Sequence, residues 1–415
     1  MQFGPRIMAR VVELAAVTDT PGILCRRYLT PEHAAANDLA ATWMRAAGMN
    51  TRIDAAGNLI GRYEGETPGL PALMVGSHLD TVRNAGAYDG MLGVLTAIEC
   101  VDALHRAGRR LPYAIEVVGF GDEEGVRFQA TLLGSTAVAG TFDRTLLERV
   151  GEDGIAMADA MRGFGLDPNR LGEAARSPDD VIGYVEVHIE QGPVLESTAL
   201  PVGIVTAIAG ASRFNVSVTG LAGHAGTVPM PERRDALTGA AEMILAVEQI
   251  CAEAGIVGTV GQASVEPGAV NVISGATRFS LDVRAAEDGD RRSALKTIRS
   301  TFECIAARRR LSVSLDETHD AAASPCSARL ADELADAVAR AGIVPHRLPS
   351  GAGHDAMAMA ALTDTAMLFV RCEGGISHHP DENITVGDAD VATRVLLDFL
   401  VHHMPRTHNQ RAGAT

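Results

Sequence analysis

From Pro31 to Met49 the apolar positions Leu39, Trp43, Met44 and Ala47 recur at helical spacing, and the short apolar run Leu73-Met74-Val75 that follows ends in Gly76-Ser77. Spacing of three and four predicts a helix with one buried face, and a short apolar run closed by turn residues predicts a strand. The pair repeats: Leu92, Val94, Leu95, Ile98, Val101 and Leu104 mark a long amphipathic helix ahead of the apolar run Ala114 to Phe120. Helix and strand in alternation predict an α/β domain on a largely parallel sheet. After about Gly210 the pattern changes. Phe214, Val216 and Val218 alternate with polar residues, a helical segment runs from Glu232 to Ala254, and strand-like runs follow at Val257 to Ala263 and Thr277 to Val283. A helix at Arg291 to Arg308 and a strand at Leu311 to Leu315 complete a βαββαβ order, that of a ferredoxin-like module. From about Pro325 the first pattern resumes, with helices at Leu330 to Ala341 and Ala389 to His402 around a strand at Ala366 to Val370. The expected organisation is a discontinuous α/β domain, residues 1–209 and 325–415, interrupted by a smaller domain at 210–324. A polar tail follows Met404.

Composition agrees with two cores: 415 residues, 47% of them hydrophobic, exceed what one ordinary domain holds. The formal net charge of -16, with Lys+Arg 36 against Asp+Glu 52, opposes binding nucleic acid, which needs clustered cations. A small anion is not excluded, because one buried arginine can hold a carboxylate whatever the global charge. Cys25, Cys100, Cys251, Cys304, Cys326 and Cys372 are scattered, without a Cys-x-x-Cys pair, and read as reduced packing thiols. Met1 to Leu14 lacks the apolar core and cleavage site of a secretory leader, and no stretch reaches the roughly 18 apolar residues of a membrane span. A soluble cytoplasmic protein is expected.

Five places put potential metal ligands on or just after an expected strand, where ligands of α/β sheets collect. They are Gly76-Ser77-His78-Leu79-Asp80-Thr81, Tyr88-Asp89-Gly90, Asp122-Glu123-Glu124-Gly125, Tyr184 to Gly192 and Gly374 to Pro380. Each has a plain alternative. His78 alone would be a structural histidine, Asp89 a helix cap, the three acids a solvated turn, and the Glu186/His188/Glu190 alternation a polar strand face. Together the residue types supply what two divalent ions need: histidine and carboxylate without thiolate suit zinc or manganese. A bridging Asp, one His and one carboxylate per ion, and a spare Glu for proton transfer make a two-metal hydrolase.

The motifs GSHLDTV, YDGMLGV, DEEGVRF, HIEQGPVLE, GHAGTVPM, NVISG, SGAGHDA and GISHHPDE, in that order from about Arg10 to His402, resemble the amidase/hydantoinase/carbamoylase family of dinuclear-metal amidohydrolases. That family includes allantoate amidohydrolases and N-carbamoyl-L-amino acid hydrolases. The resemblance implies that His78, Asp89, Glu124, His188 and His378 hold two divalent ions per subunit, zinc or manganese, with Asp89 bridging. Glu123 would be the general base and acid. His379 is the fallback for His378, and Asp80 would be the carboxylate that orients the His78 ring.

By the same resemblance the smaller domain serves as lid and dimerisation module in a homodimer. His224, expected in a flexible turn, would reach across the dimer to polarise the scissile carbonyl. Asn271 and Arg284 would hold the substrate carboxylate, and Gln191, His354, Gly351 and Gly353 would line the ureido pocket. The plain alternatives are a loop histidine and a surface arginine. The implied substrate is a small ureido carboxylate, with allantoate preferred and an N-carbamoyl-L-amino acid or N-carbamoyl-β-alanine as alternative. A peptidase or aminoacylase of the same clan would share the ligands but should lack Glu190-Gln191-Gly192 and Gly353-His354-Asp355.

Overall fold

The computed structural model describes residues 2–405, so the polar tail from residue 406 on lies outside them. The chain forms two compact units. The first comprises the residues up to Thr206, Cys326–Leu348 and those from Ala352 on; the second comprises Ala207–Pro325 and Pro349–Gly351.

At the centre of the first unit lie Ala114–Phe120, Ala72–His78, Val181–Ile189 and Thr365–Val370, side by side in that order and parallel throughout. Every residue of these four strands is buried. A strand covered on both faces reads as a continuous apolar run, which is why periodicity finds these strands by their length and boundaries. The flanks are antiparallel: Leu59–Tyr63 pairs with Ala114–Phe120 on one side, with Asn50–Ile53 beyond it, and Val202–Ile208 pairs with Thr365–Val370 on the other. These flanking strands are absent from the sequence reading. Leu59–Tyr63 has five residues, including Gly61 and Arg62, too few to display a period.

Met91–Arg106 is the central helix, buried at every position from Met91 to Leu104; the amphipathic pattern predicted one buried face, and the polar Glu99 and Asp102 are buried too, paired with Arg6 and Arg10. It packs on the parallel strands, and Gly4–Ala15, Pro31–Ala46 and Val386–His402 pack around it. Thr30 caps Pro31–Ala46 by accepting from the His33 N–H at 3.2 Å, and Thr385 caps Val386–His402 by accepting from the Asp388 N–H at 3.0 Å.

In the second unit the chain runs through Gly210–Thr219, Ala236–Ala254, Val257–Thr259, Ala263–Glu266, Ala276–Ala285, Asp288–Arg309 and Ser312–Ala321. The Ala263–Glu266, Ala276–Ala285, Gly210–Thr219 and Ser312–Ala321 strands lie in that order, all antiparallel, with Val257–Thr259 also on Ala276–Ala285. Phe214, Val216, Val218, Phe279, Leu281 and Val283 face the two helices, where they meet Met243, Val247, Ile298 and Phe302. The first helix starts at Ala236 rather than Glu232, because Asp235 accepts from the N–H groups of Leu237 and Thr238 and fixes the cap there. The second strand is split where Ser280 Oγ accepts from the N–H groups of Gly261 and Gln262. A separate ribbon pairs Gly223–His224 with Val272–Ile273. Among the described residues no helix is long and apolar enough to cross a membrane.

Candidate metal centre

All four parallel strands point their carboxyl ends to the same edge, and the motifs of the first unit sit there. His78 is the last residue of its strand, His188 the last but one of Val181–Ile189, and Glu123 and Glu124 follow Ala114–Phe120. Asp89 stands just before the central helix. Gly90 between them has φ +71° and lies so close to His78 that a Cβ would come within 2.4 Å of the imidazole. Any side chain there would displace the ring.

Asp89 is the hub. Its Oδ1 lies 3.0 Å from His188 Nε2 and 3.4 Å from His78 Nε2, and its Oδ2 lies 3.2 Å from His378 Nε2. Glu124 Oε1 lies 3.6 Å from the same His378 nitrogen. Two trios result, His78/Asp89/His188 and Asp89/Glu124/His378, each with donor atoms within 4.8 Å of one another. The trios share Asp89. His379 turns away toward Asp381, at 3.6 Å, so the structure brings His378 and not its neighbour into the cluster.

The far nitrogen of each buried ring is already engaged. His78 Nδ1 lies 3.0 Å from the Asp80 carbonyl oxygen, and His188 Nδ1 lies 2.9 Å from that of Ile189. A carbonyl only accepts, so both Nδ1 atoms carry protons, and in the neutral rings both Nε2 lone pairs aim at an Asp89 oxygen. Lone pairs facing a carboxylate repel unless a proton or a cation stands between them. Burial disfavours the charged His78 ring, yet Asp80 and Asp89 outweigh it and hold its pKa well above the usual value. Hydrogen bonding to Asp89 raises His378 to about 9. Burial, with Asp89 nearby, raises Glu124 to about 7, and burial also holds Glu123 well above the usual carboxylate range. Glu124 Oε1 is buried without a hydrogen bond. The carboxylates of the cluster thus favour positive charge among them, and its nitrogen and oxygen donors fit zinc or manganese.

Asp80 differs from expectation. Its carboxylate is 3.6 Å from His78 Nδ1, farther than its own carbonyl, and instead accepts from the N–H groups of Glu123 at 3.1 Å and Glu124 at 3.2 Å. The side chain ties the acidic loop to the His78 strand, while the main chain orients the ring. The Glu186/His188/Glu190 alternation is no solvated strand face. Glu186 accepts from Ser77 Oγ at 2.7 Å and the Ala356 N–H at 3.0 Å, and Glu190 accepts from the N–H groups of Val194 and Leu195.

Gln191 donates from Nε2 to Asp89 Oδ2 at 2.8 Å and to Ser377 Oγ at 3.1 Å. His354 is buried edge-on to His188, ring centroids 4.5 Å apart, and burial together with His188 keeps it neutral. Gly353 precedes it in the same unit. In the second unit His224 lies in the two-residue strand of the ribbon, paired with Val272, rather than in a flexible turn, and Asn271 accepts through its carbonyl from the Ala225 N–H. The Gly226 N–H donates to His224 Nδ1 at 3.0 Å, so the neutral ring carries its proton on the exposed Nε2. Arg284 is no free surface arginine: it grips Asp282 with Nε and Nη2 and donates from Nη1 to the Gly351 carbonyl at 2.8 Å.

Sequence reasoning overlooked Glu382, buried at the end of the last motif. Its Oε1 accepts from the N–H groups of Tyr88 at 2.8 Å and Asp89 at 3.0 Å. Only its place in Pro380-Asp381-Glu382 pointed to it, and no ligand spacing does.

The profile of peptidase family M20/M25/M40 matches residues 74–402. An N-carbamoyl-L-amino acid amidohydrolase from Geobacillus stearothermophilus is 43% identical, with 95% of this chain and 97% of that protein covered. An allantoate deiminase from Arabidopsis thaliana is 41% identical, with 96% and 82% covered. A hydantoinase/carbamoylase family amidase from Burkholderia ambifaria, of known structure, superposes with a TM-score of 0.90 at 33% identity, covering 98% of each chain. With the ligand-bearing loops on one sheet edge and the likeness spanning nearly the whole chain, the protein belongs to peptidase family M20/M25/M40 and, within it, to the hydantoinase/carbamoylase amidases.

Proposed function

We propose that this protein is a two-metal amidohydrolase that cleaves the carbamoyl C–N bond of a small ureido carboxylate, with allantoate the preferred substrate. The observation that carries the reading is the pair of trios sharing Asp89, on a chain whose relatives are named for allantoate and N-carbamoyl-L-amino acids. His78, Asp89 and His188 would hold one divalent ion, and Asp89, Glu124 and His378 the other, as zinc or manganese. Bound there, two ions would supply an acidified water and polarise the ureido carbonyl.

The chain's own groups do the rest. Glu123, buried and fixed through its N–H to Asp80, takes the proton of the attacking water and passes it to the departing nitrogen. The His224 Nε2 proton would meet the developing oxyanion, supplied by the partner subunit of a homodimer. Arg284 and Asn271 would hold the substrate carboxylate, converting binding at a remote end into orientation at the carbonyl. Gln191, His354, Gly351 and Gly353 would line the ureido group. The second unit would act as lid and dimerisation module. Allantoate and water would give ureidoglycine and a carbamate, which decomposes to ammonia and carbon dioxide. Six free thiols suit a cytoplasmic setting.

The second reading, an N-carbamoyl-L-amino acid amidohydrolase, is favoured by the 43% identical relative of that name. Ammonia release by metal-loaded protein, with Glu123→Ala as control, separates the two. Release from allantoate that the control abolishes supports the first, and release only from carbamoyl amino acids supports the second. Cleavage of a dipeptide without ammonia would reject both.

A further inference from the structure

Glu382 holds the main chain of the shared residue Asp89 rather than the Asp89 carboxylate. Its carboxylate is buried, and both oxygens are engaged. Oε1 accepts from two successive main-chain N–H groups, those of Tyr88 and Asp89, at 2.8 and 3.0 Å. Oε2 accepts from Ser377 Oγ at 3.0 Å, and Ser377 is the residue before His378. One side chain thus pins the peptide that carries Asp89 and the loop that carries His378, although 293 residues separate Glu382 from Asp89. Beside it, Tyr88 donates from its hydroxyl to Asn383 Oδ1 at 3.0 Å, doubling the tie between the same two loops.

Room for Glu382 is made by a glycine. A Cβ on Gly86 would fall 2.2 Å from the Glu382 carboxyl carbon and 2.3 Å from its Cβ. Gly86 is not among the glycines with positive φ, so a left-handed backbone does not require glycine there; the carboxylate does.

Ser377 has a single hydroxyl proton and two carboxylate oxygens in reach, Asp89 Oδ2 at 2.9 Å and Glu382 Oε2 at 3.0 Å. Without Glu382 that proton has Asp89 as its remaining carboxylate, where it would compete with a cation for the oxygen that faces His378. With Glu382 present, Ser377 can turn away, leaving only the Gln191 amide, at 2.8 Å, for a metal to displace from Asp89 Oδ2.

We infer that Glu382 is a positioning residue for metal binding: it fixes the Asp89 peptide and draws the Ser377 hydroxyl off Asp89, so that the Asp89/Glu124/His378 trio accepts its ion. The inference rests on the two-ion reading proposed above. Residues that orient ligands from behind typically cost about 10–100-fold in metal affinity when removed.

The test is a titration of metal-free protein with Zn2+ against a chromophoric chelator, with metal content measured after dialysis. Wild type, Glu382→Ala, Glu382→Gln and Gly86→Ala are compared, and circular dichroism checks that each is folded. Glu382→Gln keeps the shape and one acceptor oxygen, so it isolates the acceptor facing Ser377; Gly86→Ala dislodges the carboxylate without altering it. The expected result is two ions per wild-type chain, and one of them bound about 10–100-fold more weakly in Glu382→Ala and Gly86→Ala, with a smaller loss in Glu382→Gln. Excess Zn2+ should then restore most of the turnover, which a general loss of structure would not allow. Two ions held with unchanged affinity in all folded variants would overturn the role of Glu382 while leaving the metal centre standing. A wild-type chain that takes up no ion would remove both.

Discussion

The two units hold their candidate chemistry in opposite ways. In the first, His78, Asp89, His188 and Glu123 are buried, and each is fixed by a strand end, a main-chain carbonyl or a neighbouring carboxylate. In the second, His224 and Asn271 are exposed on a short ribbon, and Arg284 is half-buried against Asp282. Groups that stabilise charge in a reaction work best where water is excluded and nothing reorganises. Groups that catch a substrate must first be reachable. His378 links the two regimes: with 49% of its side chain exposed, it is the most open of the five proposed ligands.

The sharpest way to break this comparison is to strip the divalent ions. Chelation should abolish ammonia release entirely and added zinc or manganese should restore it, while far-UV circular dichroism stays near native, because each unit has an extensive apolar core of its own. Next in size, Glu123→Ala should lower kcat by about 10²–10⁴ with KM nearly unchanged, the usual worth of a general acid–base group. Steady-state kinetics on metal-loaded protein decide this, and a loss confined to KM would remove Glu123 from the proton-transfer role.

Burial also predicts which unit is sensitive to acid. His33, wholly buried in the first unit against Phe164, is pushed down by burial to about 4 from 6.5. Its folded form binds fewer protons than its unfolded form in that interval. Its contribution is therefore complete above pH 6.5 and is lost as pH falls toward 4, by at most about 1.4 kcal/mol per pH unit. Urea unfolding at pH 7 and pH 5 should show this slope in wild type and a shallower one in His33→Gln; equal slopes would assign the acid sensitivity elsewhere.

A last effect concerns the exposed unit. Arg284→Ala should reduce kcat/KM for carboxylate substrates by about 10–100-fold, equivalent to a charged hydrogen bond of roughly 1.5–3 kcal/mol, chiefly through KM. The melting temperature should hardly move, since the pair with Asp282 is partly exposed. A falling melting temperature with unaltered KM would mean that holding Asp282 and Gly351 is all that Arg284 does.

Much of this was legible in the sequence because the first unit writes its chemistry next to strong signals. His78 and Glu123 follow apolar runs that read as buried strands, and the stretch after Gly90 has the apolar spacing of a long amphipathic helix. The βαββαβ order was equally plain, since Phe214, Val216 and Val218 alternate cleanly. What stayed hidden was long-range and polar. Glu382 serves Asp89 across the whole chain, and Asp80 turned out to bind the acidic loop with its side chain while its carbonyl orients His78. Neither has a period or a spacing. Asn50–Ile53 and Leu59–Tyr63 were missed for a different reason: a strand of four or five residues with glycine or arginine inside offers too few positions for a pattern, whereas Val202–Ile208, a seven-residue apolar run, was legible and overlooked.

The place of Thr365–Val370 in the sheet also sets a timetable for biosynthesis. This strand fills the gap between Val181–Ile189 and Val202–Ile208, yet it is made more than a hundred residues after both. As the chain leaves the ribosome, the second unit has all its strands before the first unit can close its sheet. Until then two strand edges stand unpaired, and the loop bearing His378 does not exist. The Asp89/Glu124/His378 trio can therefore assemble only after the last motif is made, whereas His78, Asp89 and His188 all leave the ribosome before the second unit.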